Sequence, residues 1–293
     1  MSTDIRTVGV AGAGGTMGAG IAIVAARAGF RTIAYDLEQA ALDRAFRQTS
    51  GFFAKSVERG KLGRGEADEI LGRFVQTTDR GDFARCDLVI EAVFEELATK
   101  RKLFAELNGI CPEHTLFASN TSTLSITEIA SGCGREDRVV GLHFCLPAQL
   151  MKLVEVSPGM NTSEATFQAA WAWCEAAGQK PVKTQDRPGF VLNALLVPFN
   201  NDVIRAVEAG VAAPADIDKA IKGGLGYKMG PCELLDLIGL DTQLRLCEAF
   251  YPTTLDPRAS APPLLRRMVA AGHLGRKSGR GFYTYERDAM FGG

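Results

Sequence analysis

Short apolar segments that end at polar residues alternate with helical patterns through the first part of the chain. The apolar strand pattern appears at Thr7–Ala11, Arg31–Tyr35, Asp87–Ala92, His114–Ser119 and Val139–Phe144. Continuous apolar strands that alternate with helices are typical of parallel sheets buried on both faces. The pattern therefore predicts an α/β fold with a doubly wound, mostly parallel sheet.

Helical patterns fill the intervals between these strands and continue alone after them. The intervals carry apolar positions at helical spacing over Ile21–Ala28, Leu37–Ile70 and Leu97–Leu107. Beyond the segment Gln185–Gly189 the helical patterns are Gly189–Glu208, Pro214–Lys222, Cys232–Phe250 and Pro263–Ala271. We therefore predict two domains, residues 1–185 with the sheet and residues 186–293 built of helices.

The composition narrows the classes of function. The 293 residues carry a net charge of −1, which indicates neither a nucleic-acid-binding surface nor a disordered acidic tail. No apolar run reaches the ~18 residues of a membrane span, and the first residues do not resemble a secretion signal. Seven cysteines are scattered without a CxxC pair, and no cluster of His, Cys or carboxylates has metal-ligand spacing. We expect a cytoplasmic protein with reduced thiols and without a metal, nucleic-acid or membrane partner.

A glycine-rich turn joins the first strand to the first helix. The residues of this turn that we predict to contact a cofactor are Gly12, Gly14, Gly15, Thr16, Met17 and Gly18. Glycines let the backbone approach a pyrophosphate at a helix N-terminus, and Asp36 at the end of the second strand accepts ribose hydroxyls. The arrangement predicts dinucleotide binding, and Asp36 favours NAD over NADP because its charge repels a 2′-phosphate. Counted from Gly12 the turn reads GxGxxxG, one residue longer than the usual GxGxxG.

A histidine and a carboxylate stand out in the apolar segment Val139–Val156. His143 closes a strand pattern, and Glu155 lies twelve residues later, after a short loop that contains proline. A strand, a loop and a returning strand bring two such side chains together, and a carboxylate fixes the tautomer of a histidine that acts as general base. The alternative is a structural core histidine beside an unrelated carboxylate. The dinucleotide signature favours the catalytic interpretation, since Asp36, Ser122 and His143 all lie at predicted strand ends, where such sheets bind ligands.

Several other polar residues have more than one interpretation. Asn193 interrupts an apolar helix pattern, where it either satisfies a backbone group or reaches a ligand. Ser122 lacks the GxSxG turn of a hydrolase nucleophile, and Cys145 at an apolar strand end is more typical of a quiet thiol than of a reactive one. His114 and His273 occupy polar loop contexts that are typical of surface histidines.

Several motifs, in order along the chain, resemble the L-3-hydroxyacyl-CoA dehydrogenases, including the 3-hydroxybutyryl-CoA type. These motifs are AGGTMGAGIA, DLVIEAVFE, FASNTSTLSI, GLHF, MKLVEV, RPGFVLN, MGPCELLDLIGLD and GRKSGRGFY. The resemblance covers nearly the whole chain and implies a Rossmann-type NAD-binding domain, an all-helical C-terminal domain and a homodimer built on the helical part. It also implies NAD-dependent oxidation of an L-3-hydroxyacyl-CoA to the 3-ketoacyl-CoA, as in the β-oxidation of fatty acids.

The same resemblance implies roles for the catalytic residues. His143 matches the general base that takes the 3-hydroxyl proton, and Glu155 matches its partner. Ser122 and Asn193 match the polar residues that hold the substrate oxygen and the thioester end.

Further matches concern the cofactor and the CoA moiety. Asp36 matches the acid that binds the adenosine ribose. The other positions assigned to the NAD site are Glu95, Lys100, Asn120, Ser122, His143 and Lys277. Arg59 stands where the family has a lysine that meets a CoA phosphate, and Lys55 is a nearby candidate.

The chain departs from the family pattern beside the predicted base. Cys145 and Leu146 stand where the family has an aromatic residue and an asparagine, and Ala194 stands where it has an arginine. Phe52 occupies a position where the family can offer a hydroxyl to CoA. A smaller and less polar loop next to His143 favours an acyl group that is bulkier or more apolar than that of the four-carbon substrate.

Two other functions remain open from the sequence. One is a dehydrogenase of a free hydroxy acid or sugar acid, like the lambda-crystallin and carnitine-type relatives, which needs no phosphate contact at Lys55 and Arg59. The other is a dinucleotide-binding protein without catalysis, which the long glycine turn and the altered loop favour and the retained His143, Glu155 and Ser122 disfavour.

Overall fold

The computed structural model describes residues 4–286. By their internal packing the residues form two compact units, Met1–Phe190 and Val191–Gly293. The first unit is a mostly parallel sheet flanked by helices and the second is helical, so the predicted fold class is confirmed.

An eight-stranded sheet forms the centre of the first unit. Its strands are β1 (Thr7–Ala11), β2 (Arg31–Tyr35), β3 (Phe74–Thr77), β4 (Leu88–Glu91), β5 (Leu116–Ser119), β6 (Val139–Phe144), β7 (Leu153–Pro158) and β8 (Lys180–Lys183). They lie in the order β3-β2-β1-β4-β5-β6-β7-β8, and all neighbours are parallel except β6 and β7. The strand order reverses between β1 and β4, and a sheet of this kind binds ligands in the crevice at the carboxyl ends of its strands there.

The two edge strands, β3 and β8, are absent from the sequence-based prediction. Polar residues occupy half of each strand, FVQT in β3 and KPVK in β8, so no apolar run marks them, unlike the equally short but fully buried β4 and β5. β8 also contains Pro181, which a sheet tolerates at its edge because an edge strand needs backbone hydrogen bonds on one side only.

In the part of the first unit that the structure describes, six α-helices pack around the sheet. They are α1 (Thr16–Arg27), α2 (Gln39–Glu58), α3 (Arg64–Gly72), α4 (Leu97–Asn108), α5 (Ile126–Ala130) and α6 (Glu164–Ala176). The segment Leu37–Ile70, for which the pattern predicts helical structure, forms two helices, α2 and α3, and not one continuous helix. Gly60 lies between α2 and α3 with φ of +66°, a left-handed conformation in which the helix cannot continue.

The first helix begins earlier than predicted, at Thr16 instead of Ile21. Glycine disfavours a helix interior, so the pattern alone excludes the residues before Ile21. In the structure Gly18 is buried in α1, and a Cβ there would lie 2.1 Å from the carbonyl oxygen of Gly12. Close packing against the turn, which only glycine permits, therefore outweighs its weak helix propensity.

Apolar side chains cover both faces of the sheet. Val10 of β1 and Trp173 of α6 are fully buried in one cluster. Phe104 of α4 and Phe117 of β5 belong to a second cluster, where their rings stack with centroids 5.2 Å apart. Burial on both faces explains why the strands are continuously apolar instead of alternating.

The described residues of the second unit, 191–286, contain five α-helices. They are α7 (Leu192–Glu208), α8 (Pro214–Leu225), α9 (Pro231–Ile238), α10 (Leu240–Thr254) and α11 (Pro263–Ala270). The single helix predicted over Cys232–Phe250 is wrong, because Gly239 with φ of +97° separates α9 from α10. Within residues 4–286, no helix has both the length and the apolar character that crossing a membrane requires.

Two glycines of the turn between β1 and α1 respond differently to an added side chain. Gly12 has φ of +87°, and a Cβ there would lie 2.6 Å from the Ala92 carbonyl oxygen. Gly15 has φ of −85°, and the nearest atom to a Cβ there is 3.4 Å away. We expect Gly12→Ala to lower the free energy of unfolding by about 2 kcal/mol or more, since left-handed strain and a backbone clash combine.

Gly15→Ala is the matched control, and we expect its free energy of unfolding to stay within about 0.5 kcal/mol of the unmodified protein. Denaturant unfolding of both purified variants measures the difference. Equal midpoints for Gly12→Ala and Gly15→Ala would contradict this conformation of the turn.

Candidate active site

The antiparallel pairing of β6 and β7 places His143 directly opposite Glu155. Both side chains are buried, with 6% and 1% of their surfaces exposed. His143 Nδ1 lies 2.8 Å from Glu155 Oε2. Because a carboxylate only accepts, Nδ1 carries the ring proton and donates it, which leaves Nε2 as an acceptor. The two strands therefore present an imidazole whose Nε2 faces away from Glu155.

Ser122 lies on the other side of the imidazole. It follows β5, the parallel neighbour of β6, and its Oγ is 2.9 Å from His143 Nε2. The buried ring of Phe190 packs against the imidazole with centroids 5.4 Å apart. The imidazole of His143 is thus held at both nitrogens and against one aromatic ring.

A carboxylate, Glu95, holds the loop that carries Ser122. Glu95 Oε1 accepts hydrogen bonds from the backbone N–H groups of Ser122 (2.9 Å) and Thr123 (3.0 Å). It also accepts from the hydroxyls of Thr121 (2.6 Å) and Thr123 (2.9 Å). Burial raises the pKa of Glu95, but the Lys100 charge and the hydrogen bonds from the loop outweigh it, so its pKa lies below the ordinary value.

Lys100 lies between two carboxylates at the end of β4. Its Nζ is 2.5 Å from Glu91 Oε1 and 3.3 Å from Glu95 Oε2. Lys100 and Glu91 are buried, and Glu91 also accepts a hydrogen bond of 2.7 Å from the Ser119 hydroxyl at the end of β5. A buried ammonium is costly unless it is paired, so these contacts fix α4 against the ends of β4 and β5.

Two further polar side chains fix the ends of the Ser122 loop. Asn120 Oδ1 accepts a hydrogen bond of 2.9 Å from the Phe144 N–H, which joins the ends of β5 and β6. The Asp186 carboxylate accepts from two hydroxyls and two backbone N–H groups of residues 125–127. The loop between β5 and α5 is therefore held at its start, at Ser122 and at its end.

The turn after β1 fits a dinucleotide pyrophosphate. Gly14 N–H donates to Asp36 Oδ2 at 2.9 Å, and a Cβ on Gly14 would lie 2.7 Å from that oxygen. α1 begins at Thr16 without a side-chain cap, which leaves backbone N–H groups of its first turn for an anion. The extra residue of the turn is accommodated where Gly15 N–H donates to the Gly12 carbonyl at 3.1 Å. NAD binding requires a turn without bulky side chains, a helix N-terminus and a carboxylate. The glycine turn, the start of α1 and Asp36 are groups of these kinds.

The candidate CoA residues lie on a different element. Lys55 is exposed in the last turn of α2 and Arg59 is exposed just after it. Within residues 4–286, the polar contacts of His143 are with Glu155 and Ser122 and not with Lys55 or Arg59. Phe52, in the same helix, packs its ring edge-on against Phe53 with centroids 5.4 Å apart, in a small apolar cluster.

Two predicted site residues belong to the second unit. Asn193 is half-buried and is the second residue of α7, so its predicted place one turn inside the helix is wrong. The helix begins late because Gly189 and Phe190 before it have φ of +77° and +48°. Lys277 Nζ lies 2.5 Å from Asp241 Oδ1. Burial raises the pKa of Asp241, but the hydrogen bond and charge of Lys277 outweigh it and bring the pKa below its ordinary value.

The loop after β6 contains two of the departures from the family pattern, Cys145 and Leu146. Cys145 is half-buried, and Leu146 has 59% of its surface exposed. Burial raises the pKa of the Cys145 thiol to about 11, and the Glu155 carboxylate acts in the same direction. The thiol is therefore protonated at neutral pH, as expected of a quiet cysteine.

Ser122, His143 and Glu155 together have the connectivity of a nucleophilic triad. Acyl transfer also needs N–H donors that stabilise an oxyanion beside the nucleophile. Here the N–H groups of Ser122 and Thr123 already donate to the negative charge of Glu95. The arrangement therefore suits proton transfer at His143 Nε2 and not nucleophilic attack by Ser122.

The structure also identifies residues that the sequence analysis did not assign to the site. They are Glu91, Thr121, Thr123, Phe190, Asp186 and Asp241, each in contact with a predicted site residue or with the Ser122 loop. An acid at the end of an apolar strand was a usable signal for Glu91, whereas nothing local marks Asp186. Among residues 4–286, no group of three or more His, Cys, Asp or Glu side chains could hold a metal ion.

Two family models match the chain. "3-hydroxyacyl-CoA dehydrogenase, NAD binding domain" matches residues 7–187, and "3-hydroxyacyl-CoA dehydrogenase, C-terminal domain" matches residues 189–285. The NAD-binding match includes the glycine turn, Asp36, Ser122, His143 and Glu155.

Curated relatives and solved structures agree with these matches. A probable 3-hydroxybutyryl-CoA dehydrogenase of Bacillus subtilis is 44% identical over 97% of this chain and 98% of its own length. A 3-hydroxyadipyl-CoA dehydrogenase of Escherichia coli is 41% identical over all of this chain and 62% of its own length. The crystal structure of (S)-3-hydroxybutyryl-CoA dehydrogenase from Ralstonia eutropha superposes with a TM-score of 0.92 at 38% identity, covering 97% of this chain and 100% of that one.

The raised pKa of Cys145 predicts slow alkylation. With a pKa of about 11, only about one thiol in 10⁴ is ionised at pH 7, and the thiolate is the reactive form. We expect iodoacetamide to modify Cys145 far more slowly than free cysteine at pH 7, with a rate that rises about tenfold per pH unit up to pH 10. Mass spectrometry of the peptide that contains Cys145 measures the rate. Alkylation as fast as that of free cysteine at pH 7 would contradict the assignment.

Proposed function

This chain belongs to the 3-hydroxyacyl-CoA dehydrogenase family, and on that basis we propose that His143, paired with Glu155, is the general base of its reaction. The protein is an NAD-dependent oxidoreductase, a 3-hydroxyacyl-CoA dehydrogenase. The observation that carries the proposal is the buried pair itself, with Nδ1 held by Glu155 and Nε2 turned toward Ser122. Such a base takes a proton from a substrate hydroxyl within hydrogen-bond reach of Nε2.

Each residue of the pair has a distinct task in this mechanism. His143 Nε2 removes the proton of the C3 hydroxyl of an L-3-hydroxyacyl-CoA. Glu155 stabilises the imidazolium that results, and it keeps Nδ1 protonated so that only Nε2 can act as base. When bound, the oxidised nicotinamide supplies the acceptor for the hydride that leaves C3. In the reverse direction His143 returns the proton to the 3-keto oxygen.

Ser122 and Asn193 are assigned to the substrate oxygen and the thioester end. Ser122 Oγ already lies at hydrogen-bond distance from His143 Nε2, so a substrate hydroxyl beside it would meet both groups. Asn193 lies in the first turn of α7 and is half-buried, so part of this polar residue remains exposed.

The NAD-binding residues follow from the crevice at the carboxyl ends of the strands. The turn residues Gly12, Gly14, Gly15, Thr16, Met17 and Gly18 would receive the pyrophosphate. Asp36 would accept the adenosine ribose hydroxyls. Glu95, Lys100, Asn120, Ser122, His143 and Lys277 complete the assigned set.

The CoA moiety is assigned to the exposed cations at the end of α2. Lys55 lies in the last turn of α2, Arg59 follows directly after the helix, and both are exposed. Two adjacent cations suit a phosphate, and Arg59 adds a bidentate donor.

We also propose a homodimer formed through the helical second unit. Large apolar side chains are exposed there, among them Leu195 at 69%, Leu225 at 61% and Leu237 at 50%. Exposed apolar side chains of this size favour burial against another surface. All seven cysteines are free, which supports a reducing compartment such as the cytoplasm.

The acyl group is assigned to be bulkier or more apolar than that of a 3-hydroxybutyryl thioester. Cys145 occupies less volume than an aromatic ring, and Leu146 offers an exposed apolar side chain where an amide would hydrogen-bond. One relative, from Escherichia coli, is named for a 3-hydroxyadipyl group, which is longer than the 3-hydroxybutyryl group in the names of other relatives. The names of the relatives therefore differ in acyl chain.

Removal of the base should abolish most of the activity. We expect His143→Ala to lower kcat about 10²–10⁴-fold, because a positioned general base contributes that factor. Glu155→Gln should fold and bind NADH but lower kcat, since an amide can hold the imidazole in the wrong tautomer. Steady-state kinetics with NADH and acetoacetyl-CoA measure both variants, and near-normal turnover of His143→Ala would rule out the assignment.

A substrate panel tests the acyl group and the class of substrate together. We expect NADH oxidation with 3-ketoacyl-CoA thioesters and not with the matching free acids. Among thioesters, kcat/KM should rise from acetoacetyl-CoA to longer, branched or aromatic acyl groups, by about tenfold for each ~1.4 kcal/mol of added transition-state binding. A maximum at the four-carbon thioester would contradict the bulkier pocket, and turnover of free acids would favour a hydroxy-acid or sugar-acid dehydrogenase.

A further inference from the structure

We propose that Glu95, held by the buried Lys100, is a positioning residue that places Ser122 against His143, so that its effect on the reaction is on kcat and not only on cofactor binding. The inference rests on the proposed function, in which His143 is the base. It assigns Glu95 and Lys100 a task on the substrate side of the site, in addition to their place among the cofactor residues.

The contacts of Glu95 concentrate on the three residues that fix the Ser122 side chain. Oε1 receives the N–H groups of Ser122 and Thr123 and the hydroxyls of Thr121 and Thr123, all within 3.0 Å. Four donors on one oxygen leave the loop little freedom to rotate. The direction of Ser122 Oγ, 2.9 Å from His143 Nε2, therefore depends on Glu95.

Thr121 links the parts of this loop to each other. Its Oγ1 donates to Glu95, and it accepts the N–H groups of Thr123 (3.3 Å) and Leu124 (2.9 Å). Through this hydroxyl, the contact with Glu95 also restrains the backbone that follows Ser122. Thr121 itself is fully buried, which limits the access of water to its hydroxyl.

Lys100 fixes the position of Glu95. Glu95 retains 39% side-chain exposure, which by itself would let the carboxylate turn toward solvent. Lys100 is 1% exposed and its Nζ, anchored 2.5 Å from the fully buried Glu91, holds Glu95 Oε2 at 3.3 Å. One oxygen of Glu95 is thus tied to the sheet, and the other to the catalytic loop.

The same geometry keeps Ser122 from acting as an acyl nucleophile. The two N–H groups that could form an oxyanion hole point at a carboxylate. A Ser–His–Glu arrangement allows either nucleophilic attack by the serine or proton transfer at the histidine. Here Glu95 favours proton transfer.

The test compares two substitutions of Thr121, which contacts Glu95 and is assigned no contact with the substrate or the cofactor. Thr121→Val keeps the shape and removes the hydroxyl, whereas Thr121→Ser keeps the hydroxyl. We expect Thr121→Val to lower kcat about tenfold and Thr121→Ser to retain it within about twofold. Glu95→Gln should lower kcat about 10²-fold, the effect expected when a catalytic group is misplaced by about 1 Å.

Binding of NADH, measured by fluorescence titration in the absence of substrate, separates positioning from cofactor contact. We expect the Kd for NADH to stay within about threefold in Thr121→Val and Thr121→Ser, with normal KM for the thioester. Glu233→Gln is the matched control for loss of a carboxylate paired with lysine, since Glu233 lies 2.8 Å from Lys222 in the second unit. It should leave kcat unchanged.

Three outcomes would overturn the proposal. Equal kcat for Thr121→Val and Thr121→Ser would show that the Thr121 hydroxyl has no effect. A rise in the Kd for NADH with an unchanged kcat in Glu95→Gln would make Glu95 a cofactor contact alone. These first two outcomes can be observed only if the unmodified protein turns over thioesters. The third outcome is that it does not, which would overturn the proposed function and this inference with it.

Discussion

The pairing of the buried Lys100 ammonium with Glu91 and Glu95 is the interaction on which the geometry of the site depends. An ammonium with 1% exposure is tolerated only because two carboxylates lie within 3.3 Å. Moving either carboxylate would leave a buried charge without its partner. The free-energy cost of that charge keeps the pairing in place. It joins the end of β4 to α4 and, through Glu95, to the loop after β5.

A second constraint is the one antiparallel pairing, between β6 and β7, in an otherwise parallel sheet. β7 returns beside β6, and the register places His143 opposite Glu155. In a parallel pair the next strand would arrive after a long crossover, and two residues twelve apart in sequence could not meet. Cross-strand neighbours in a buried sheet have little freedom, so the distance between the imidazole and the carboxylate follows from backbone pairing.

The site also illustrates how the same three side chains can serve different reactions. A serine, a histidine and a carboxylate in sequence resemble a hydrolase triad, and the difference lies in the backbone around the serine. Where a hydrolase keeps N–H groups free for an oxyanion, this loop gives them to Glu95. Function therefore also depends on which groups the backbone N–H donors bind. The identities of the side chains alone do not show this.

The sequence by itself determined the α/β order, the helical second part, the glycine turn with Asp36, and the family and its cofactor. These follow from local signals, because apolar periodicity, glycine spacing and motif order are read along the chain. Several boundaries could not be read in this way: Gly60 and Gly239 divide helices where the apolar pattern continues, and polar residues occupy half of β3 and half of β8. The partners of the Ser122 loop needed the tertiary structure, since Glu95 and Asp186 lie 27 and 61 residues from the groups they bind. A hydrogen bond between residues so far apart in the chain carries no sequence signature, and only the fold decides which donors a carboxylate receives.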